Sequence, residues 1–386
     1  MSTILTFHAV LKGLARKEFD RAVARHHADK YCKHFTHWQH LVAMVYAQLS
    51  GASSLRVLEL SFNSHAHYHG SLHTGAVRRS TLADANERRA TTVFDEVAVW
   101  LIGQVSNKLH REAAALIRLL DSTSITLKGR EFDRWTLAER TRNTQGIKLH
   151  LLLDLSTKAP QWYSLSAANV TDVDRTASVP LTPNALYVFD RGYCDYNWWQ
   201  EIDAAGAFFV TRFKSNAALV RQGEHSIPLG VQDLIIRDET VRFKCKNPGG
   251  KRINRYVKPL RRITVHRADK PTPLVLATND LNSPASDIAQ RYKERWEIEL
   301  FFKWIKQHLK VKSFFGRSCN AVRLQLVTAL IGYLLVALYR YAHCSGHTLW
   351  ECLSMISASL FAPAVSDATL PQTRRRSGST ETQGGA

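Results

Sequence analysis

Apolar residues recur at intervals of three and four near the start of the chain, at Phe7, Val10, Leu11 and Leu14 and again at Trp38, Leu41, Val42, Val45 and Leu49. That is the spacing of helices with a buried face, and it predicts a helical N-terminal domain over residues 1–105, set apart as its own lobe. Within it, residues 53–62 and 80–89 read as two helices joined by a His- and Gly-rich connection, with Ser80 as N-cap. Arg78, Arg79, Arg88 and Arg89 lie at the two ends of the second helix. A DNA-contacting helix and an ordinary surface helix are both open readings there. The histidines at 65, 67, 69 and 73 read as a polar, partly solvated loop, with a metal cluster as the lesser alternative.

After about residue 105 the period shortens. Strands are predicted at 116–121, 124–128, 148–153, 162–166 and 186–190, with a helix at 196–205. Trp198 and Trp199 fall in that helix, where core packing is the expected role. Further strands are predicted at 207–213, 234–236, 240–245, 262–265 and 273–278, with a turn at 248–250. A helix follows, with Ser283 as N-cap and Pro284 at its first position. The longest uncharged apolar run, 326–339, is 14 residues against the roughly 20 that span a bilayer, so it reads as a buried core helix. Beyond Pro363 the chain turns Ser-, Thr-, Gly- and Arg-rich, and a disordered tail is predicted.

The chain carries a net charge of +19 with 45% hydrophobic residues, so a globular core and a polyanionic partner are both expected. Ten of those net charges sit in residues 206–270, where 15 Lys or Arg face 5 Asp or Glu. Residues 242–262 hold nine basic residues and no acid. Lys251, Arg252 and Arg255 are therefore expected on a phosphate-backbone surface. The six cysteines form no C-x-x-C pair, which fits a reducing cytoplasm and gives no sign of a zinc ribbon or disulfide framework.

One stretch combines these features: Tyr292 to Lys306 reads Y-K-E-R-W-E-I-E-L-F-F-K-W-I-K. On a continuous helix, Tyr292, Arg295, Glu299 and Lys306 share about a sixth of the circumference, Lys303 widens the stripe, and apolar residues, Trp296 and Leu300 included, occupy most of the remaining arc, so the helix is expected to be mostly buried. The stripe is either a solvated run of ion pairs, Glu299 with Arg295 and Lys303, or the wall of a site.

These four residues fit Y-x2-R-x3-E-x6-K, and the chain resembles the DDE transposases of insertion-sequence family four. L-D-S-T at 120–123 and F-D-R-G-Y at 189–193 resemble that family's two aspartate motifs. The resemblance covers roughly residues 115–345. It implies an α/β protein with an RNase H-like core over 106–205 and 271–345, a basic β-rich insertion at 206–270 and a C-terminal segment from 346. Asp121, Asp190 and Glu299 would bind two Mg²⁺ ions, with Mn²⁺ as a substitute, and carry catalysis. Three carboxylates and one scissile phosphate match the charge of two such ions. Tyr292, Arg295 and Lys306 would grip DNA, and Arg191 and Lys303 lie beside the acids as further DNA contacts. The implied reaction is hydrolysis at transposon ends and strand transfer into target DNA by a homodimer on double-stranded DNA in the cytoplasm, at the nucleoid. A nuclease of the same fold without strand transfer, or a non-catalytic DNA-binding regulator, are the alternatives.

Overall fold

The computed structural model describes residues 5–109, 115–127, 132, 135, 146–248 and 253–364. Lys251, Arg252, part of the 248–250 turn and the Arg-rich tail lie outside the described residues. Nine strands form one sheet: β1 (Ile117–Thr126), β2 (Gly146–Asp154), β3 (Pro160–Ala167), β4 (Leu186–Phe189), β5 (Phe208–Arg212), β6 (Leu219–Glu224), β7 (Ile235–Phe243), β8 (Leu260–Val265) and β9 (Leu274–Thr278). Their order is β3-β2-β1-β4-β5-β9-β8-β7-β6. β1, β4 and β5 run parallel, and β2 is antiparallel to both β1 and β3. This five-strand array is the RNase H-like core, so β5 joins the core by pairing parallel with β4 and does not belong to the expected 206–270 insertion. β9 adds to β5 antiparallel, and β8, β7 and β6 follow, so the insertion lengthens the core's own sheet.

Two pairs of predicted strands merge. Residues 116–121 and 124–128 become the single strand β1, because its ladder with β2 runs unbroken from Arg118↔Asp154 to Thr126↔Gly146 through Ser122 and Thr123. Residues 234–236 and 240–245 likewise become β7, opposite β8. Strand β6 gives no signal in the sequence, since five of its six residues are exposed and its pattern is polar.

Successive strand residues point to opposite faces, and the sheet feeds two cores accordingly. Leu120, Tyr187, Phe189 and Phe209 join the face covered by α7 (Tyr196–Ala204), where Trp198 and Trp199 are buried as expected. Their neighbours Leu119, Val188 and Val210 join the opposite core. Continuing the alternation one residue puts Asp121 and Asp190 on that second side.

The second core overturns the expectation of a separate N-terminal lobe. Helices α1 (Thr6–Leu11), α2 (Arg16–Arg25), α3 (His37–Ser50), α4 (Leu55–Asn63), α5 (Arg79–Arg88) and α6 (Thr92–Leu109) share one apolar cluster with the sheet and the C-terminal helices. In chain order the latter are α8 (Ala285–Glu294), α9 (Trp296–His308), α10 (Cys319–His343) and α11 (Leu349–Ser359). α3 and α10 are apolar on nearly every side, so each needs neighbours all round. α10 supplies them by packing against α3, α5, α6 and α1. By length and composition α10 could cross a membrane, but 94% of its most apolar window is buried inside this fold. Gln48 fixes the register, donating to the Gln325 carbonyl at 3.3 Å and accepting from the Lys310 amide at 2.8 Å.

Two N-terminal details also differ from expectation. α5 begins at Arg79 with Arg78 at the N-cap, not Ser80. Arg89 folds inward: it donates to the carbonyls of Thr36 and Phe35 and stacks over the Phe35 ring. It is thereby engaged within the fold, whereas Arg78, Arg79 and Arg88 are exposed.

Buried histidine in this core gives a pH prediction. His40 is fully buried beside Asn86, and desolvation pushes its pKa down to about 3. The unfolded chain then binds a proton below about pH 6.5 that the folded chain refuses, so stability falls as pH drops from 6.5 toward 3. This one group is expected to cost about 2 kcal/mol at pH 5 relative to neutral pH. Urea unfolding of wild type and His40→Gln at pH 5 and 7 checks it; an unchanged pH slope in the variant would sink the assignment.

Candidate active site

The carboxylates come from three elements. Asp121 lies mid-strand in β1, which has a hydrogen-bonded neighbour on each side. β4 runs parallel beside it with Leu120↔Phe189 as the last paired position, so Asp190 follows at the same height. α9 packs over β1 on the side both aspartates face, and it carries Glu299 in its first turn.

Arg295 joins two of the acids. Its guanidinium donates to Asp121 Oδ2 at 3.1 Å and to Glu299 Oε1 at 2.7 Å. Arg212, at the end of β5, donates to Asp190. Asp121 also feels the other two acids. Burial pushes the Asp121 carboxyl up to about 6, and the charges of Asp190 and Glu299 push the same way, against the Ser122 amide and Arg295. For Asp190 burial is outweighed: the Arg191 amide and Arg212 hold it below the usual carboxylate value.

The motif stretch is not one helix. α8 ends at Glu294, Arg295 makes a tight turn, and α9 starts at Trp296; the Arg295 and Ile298 amides reach back only three residues, each at 3.2 Å. The start also shifts by one, with Pro284 rather than Ser283 at the N-cap. The break changes which residues are covered. Ile298, Phe301, Phe302 and Ile305 are buried, but Trp296 is 57% and Leu300 41% exposed, contrary to the arc drawn for a continuous helix. Tyr292 is buried, with the Arg295 guanidinium 5.9 Å from its ring centre.

Two clefts lie near Arg295, which lines the larger and bonds to two acids that line the smaller. One, of about 460 Å³, holds Asp121, Glu299, Lys303, Lys306 and Lys312. Lys306 reaches across it to Thr123 Oγ1 and to the Ser124 carbonyl at 3.2 Å; burial and the nearby Lys312 hold it below the usual lysine value. The other cleft, of about 860 Å³, is lined by Arg212, Arg267, Lys293, Tyr292, Arg295 and Trp296, and also by Asp269, Glu294 and Glu297. Asp121 and Glu299 beside three lysines in the smaller cleft suit a phosphodiester strand. Sequence reasoning missed Arg212, Lys312 and the open face of Trp296. Arg212 had no motif to mark it, and Trp296 was hidden by the assumption of an unbroken helix.

The basic insertion is partly committed elsewhere. Arg261 and Arg262 pair with Asp238 and Glu239, and Lys258 with Asp203. Arg255 and Arg242 are exposed, as is Arg191 beside the acids.

The sequence that builds this site has counterparts among known proteins. The family described as "Transposase DDE domain" matches residues 112–335. The chain belongs to that transposase family. Residues 2–70 match a second family, described only as a domain of unknown function. A Sinorhizobium fredii protein carrying the name of a transposase, y4zB, is 44% identical over 257 residues, 66% of this chain and 69% of that protein. A Synechocystis protein named for insertion sequence element IS4SA is 25% identical, over 72% of this chain and 77% of its own length. A Geobacillus stearothermophilus protein named for element IS5377 is 27% identical, over 64% and 65%. Insertion-sequence transposases are thus its relatives, and the family resemblance read from the sequence holds.

Proposed function

We propose that this transposase cuts DNA at the ends of its insertion sequence and joins the freed 3′ ends to target DNA, with Asp121, Asp190 and Glu299 as the metal-binding catalytic acids. The observation carrying this reading is that Arg295 is ion-paired to Asp121 and Glu299 at once while Asp190 directly follows the last residue of the neighbouring strand that pairs beside Asp121. Three mutually repelling carboxylates gathered around borrowed guanidinium groups are an oxygen donor set suited to Mg²⁺ or Mn²⁺. A pair of such ions supplies nucleophile activation and neutralisation of the phosphate charge. Arg295 and Arg212 are free to turn from carboxylate to phosphate when the acids acquire other cations, and Lys306, Lys303 and Arg191 add point charges along the strand. Tyr292 braces Arg295 and lines the larger cleft. A homodimer on paired ends fits a protein that must act on two DNA termini. Arg78, Arg79 and Arg88 on α5 offer a further exposed basic surface.

The test is conversion of a pre-cut duplex bearing the element's terminal sequence into a joined product with a target plasmid in Mg²⁺. Nicking without joining would reduce the protein to a nuclease, and neither product would leave a DNA-binding regulator. Binding itself should weaken steeply with salt. Replacing Lys251, Arg252 and Arg255 by Gln is expected to lower the slope of log affinity against log salt by about 2 to 3, at about 0.9 for each phosphate no longer neutralised. An unchanged slope in fluorescence anisotropy would place that part of the insertion away from DNA.

A further inference from the structure

The parallel ladder between β1 and β4 stops at Leu120↔Phe189, one residue short of the two aspartates. Past that pair no ladder pairing joins Asp190 to Asp121, and their like charges favour separation. A second set of contacts spans the gap. Asp172 Oδ1 accepts from Ser122 Oγ at 2.8 Å and from Lys148 Nζ at 3.2 Å. Its Oδ2 lies against Gly192, where a Cβ would stand only 2.8 Å from that oxygen. Ser122 directly follows Asp121, and Gly192 is two residues after Asp190, so one carboxylate touches both acid-bearing segments.

His150 makes a parallel tie. It lies fully buried opposite Ser122 in the ladder, with Nδ1 2.9 Å from the Tyr193 hydroxyl and Nε2 2.9 Å from Ser166 Oγ. Ser166 donates to the Ala167 carbonyl, so its oxygen accepts from His150 Nε2–H, which leaves Nδ1 to accept from Tyr193. The Asp-Arg-Gly-Tyr turn is thereby held at Gly192 by contact and at Tyr193 by a hydrogen bond.

We propose that Asp172 is a positioning residue that locks the Asp190 turn against β1 and so sets the spacing of Asp121 and Asp190, with His150 and Tyr193 as the second tie. The proposal rests on the reading of these acids as metal ligands. Partners behind metal ligands are typically worth 10–100-fold in affinity.

The experiment is a Mn²⁺ titration of the full chain, with the free ion followed by electron paramagnetic resonance, on wild type, Asp172→Ala, Ser122→Ala, Tyr193→Phe and Asp121→Asn. Asp172→Ala is expected to weaken Mn²⁺ binding about tenfold or more at a temperature where circular dichroism shows it folded. Ser122→Ala, which removes one arm without stranding a charge, and Tyr193→Phe should each show a smaller loss. Asp172→Glu, which restores a carboxylate, should recover part of the affinity, whereas a purely structural role would lower the melting temperature and leave affinity unchanged. Wild-type affinity in folded Asp172→Ala and Ser122→Ala, beside loss in Asp121→Asn, would overturn the positioning role. Wild-type affinity in Asp121→Asn would instead overturn the reading of the acids on which it rests.

Discussion

Asp121→Asn, Asp190→Asn and Glu299→Gln are each expected to lower cleavage of the element's terminal duplex in Mg²⁺ by on the order of 10³-fold or more, while binding of the same duplex survives. Each substitution keeps the side chain's shape and removes one negative charge from a set in which Asp190 and Glu299 lie close enough to Asp121 to raise its carboxyl. Fewer charges bind a divalent pair poorly, yet they also repel DNA less, so affinity for the uncut end should hold or rise slightly. Gel assays of nicking and anisotropy measurements of binding read the two effects separately. Cleavage at the wild-type rate by any of the three proteins would remove that residue from the reaction.

Arg261→Ala is expected to destabilise the protein by about 3–5 kcal/mol, the cost of leaving a buried charge without its partner. Arg261 and Asp238 are 6% and 3% exposed, joined by two hydrogen bonds of 2.7 and 2.5 Å. Arg261 also donates to the carbonyl of Ser283, just before α8 begins, so it ties the insertion's strands to the entry of the motif helices. The urea midpoint reads the loss. Arg262→Ala, whose partner Glu239 is buried but which is itself 29% exposed, should cost less. Equal, small shifts for both would show that the buried pair does not anchor this junction.

Local chemistry made much of this fold legible. The alternation and aliphatic content of β2, β3 and β4 and the three-four spacing of α3 are properties of neighbouring residues, and those elements lie within a few positions of where the pattern puts them. The motif residues stood out because four side-chain types in a fixed register seldom coincide by chance. Where sequence and structure part, a distant segment of the chain decided. Ser122 and Thr123 look like turn formers until β2 pairs with them. Trp296 looks buried until the chain breaks helix at Arg295 to reach Asp121. The N-terminal helices look like a lobe until α10 is inserted among them.

Tyr292 to Lys306 shows the division most clearly. The sequence alone determined the cast: one acid, Glu299, on a stripe with basic and aromatic residues, a pair of aspartates upstream and a strongly basic insertion. It left the Glu299–Arg295 pairing open as either a surface ion pair or part of a site. In the tertiary structure the pairing is more than a local one, because the same guanidinium that bonds Glu299 four residues away also bonds Asp121 from a distant part of the chain. Only the fold could supply Arg212 to Asp190, pair Arg261 and Arg262 within the sheet, turn Arg89 inward, and set Asp172 between the two aspartate segments. The physical reason is common to all of these. Helix and strand periodicity act over a few residues, whereas a charge takes its role from whichever opposite charge or hydrogen bond the packing brings within about 3 Å, and that neighbour can lie anywhere in the sequence.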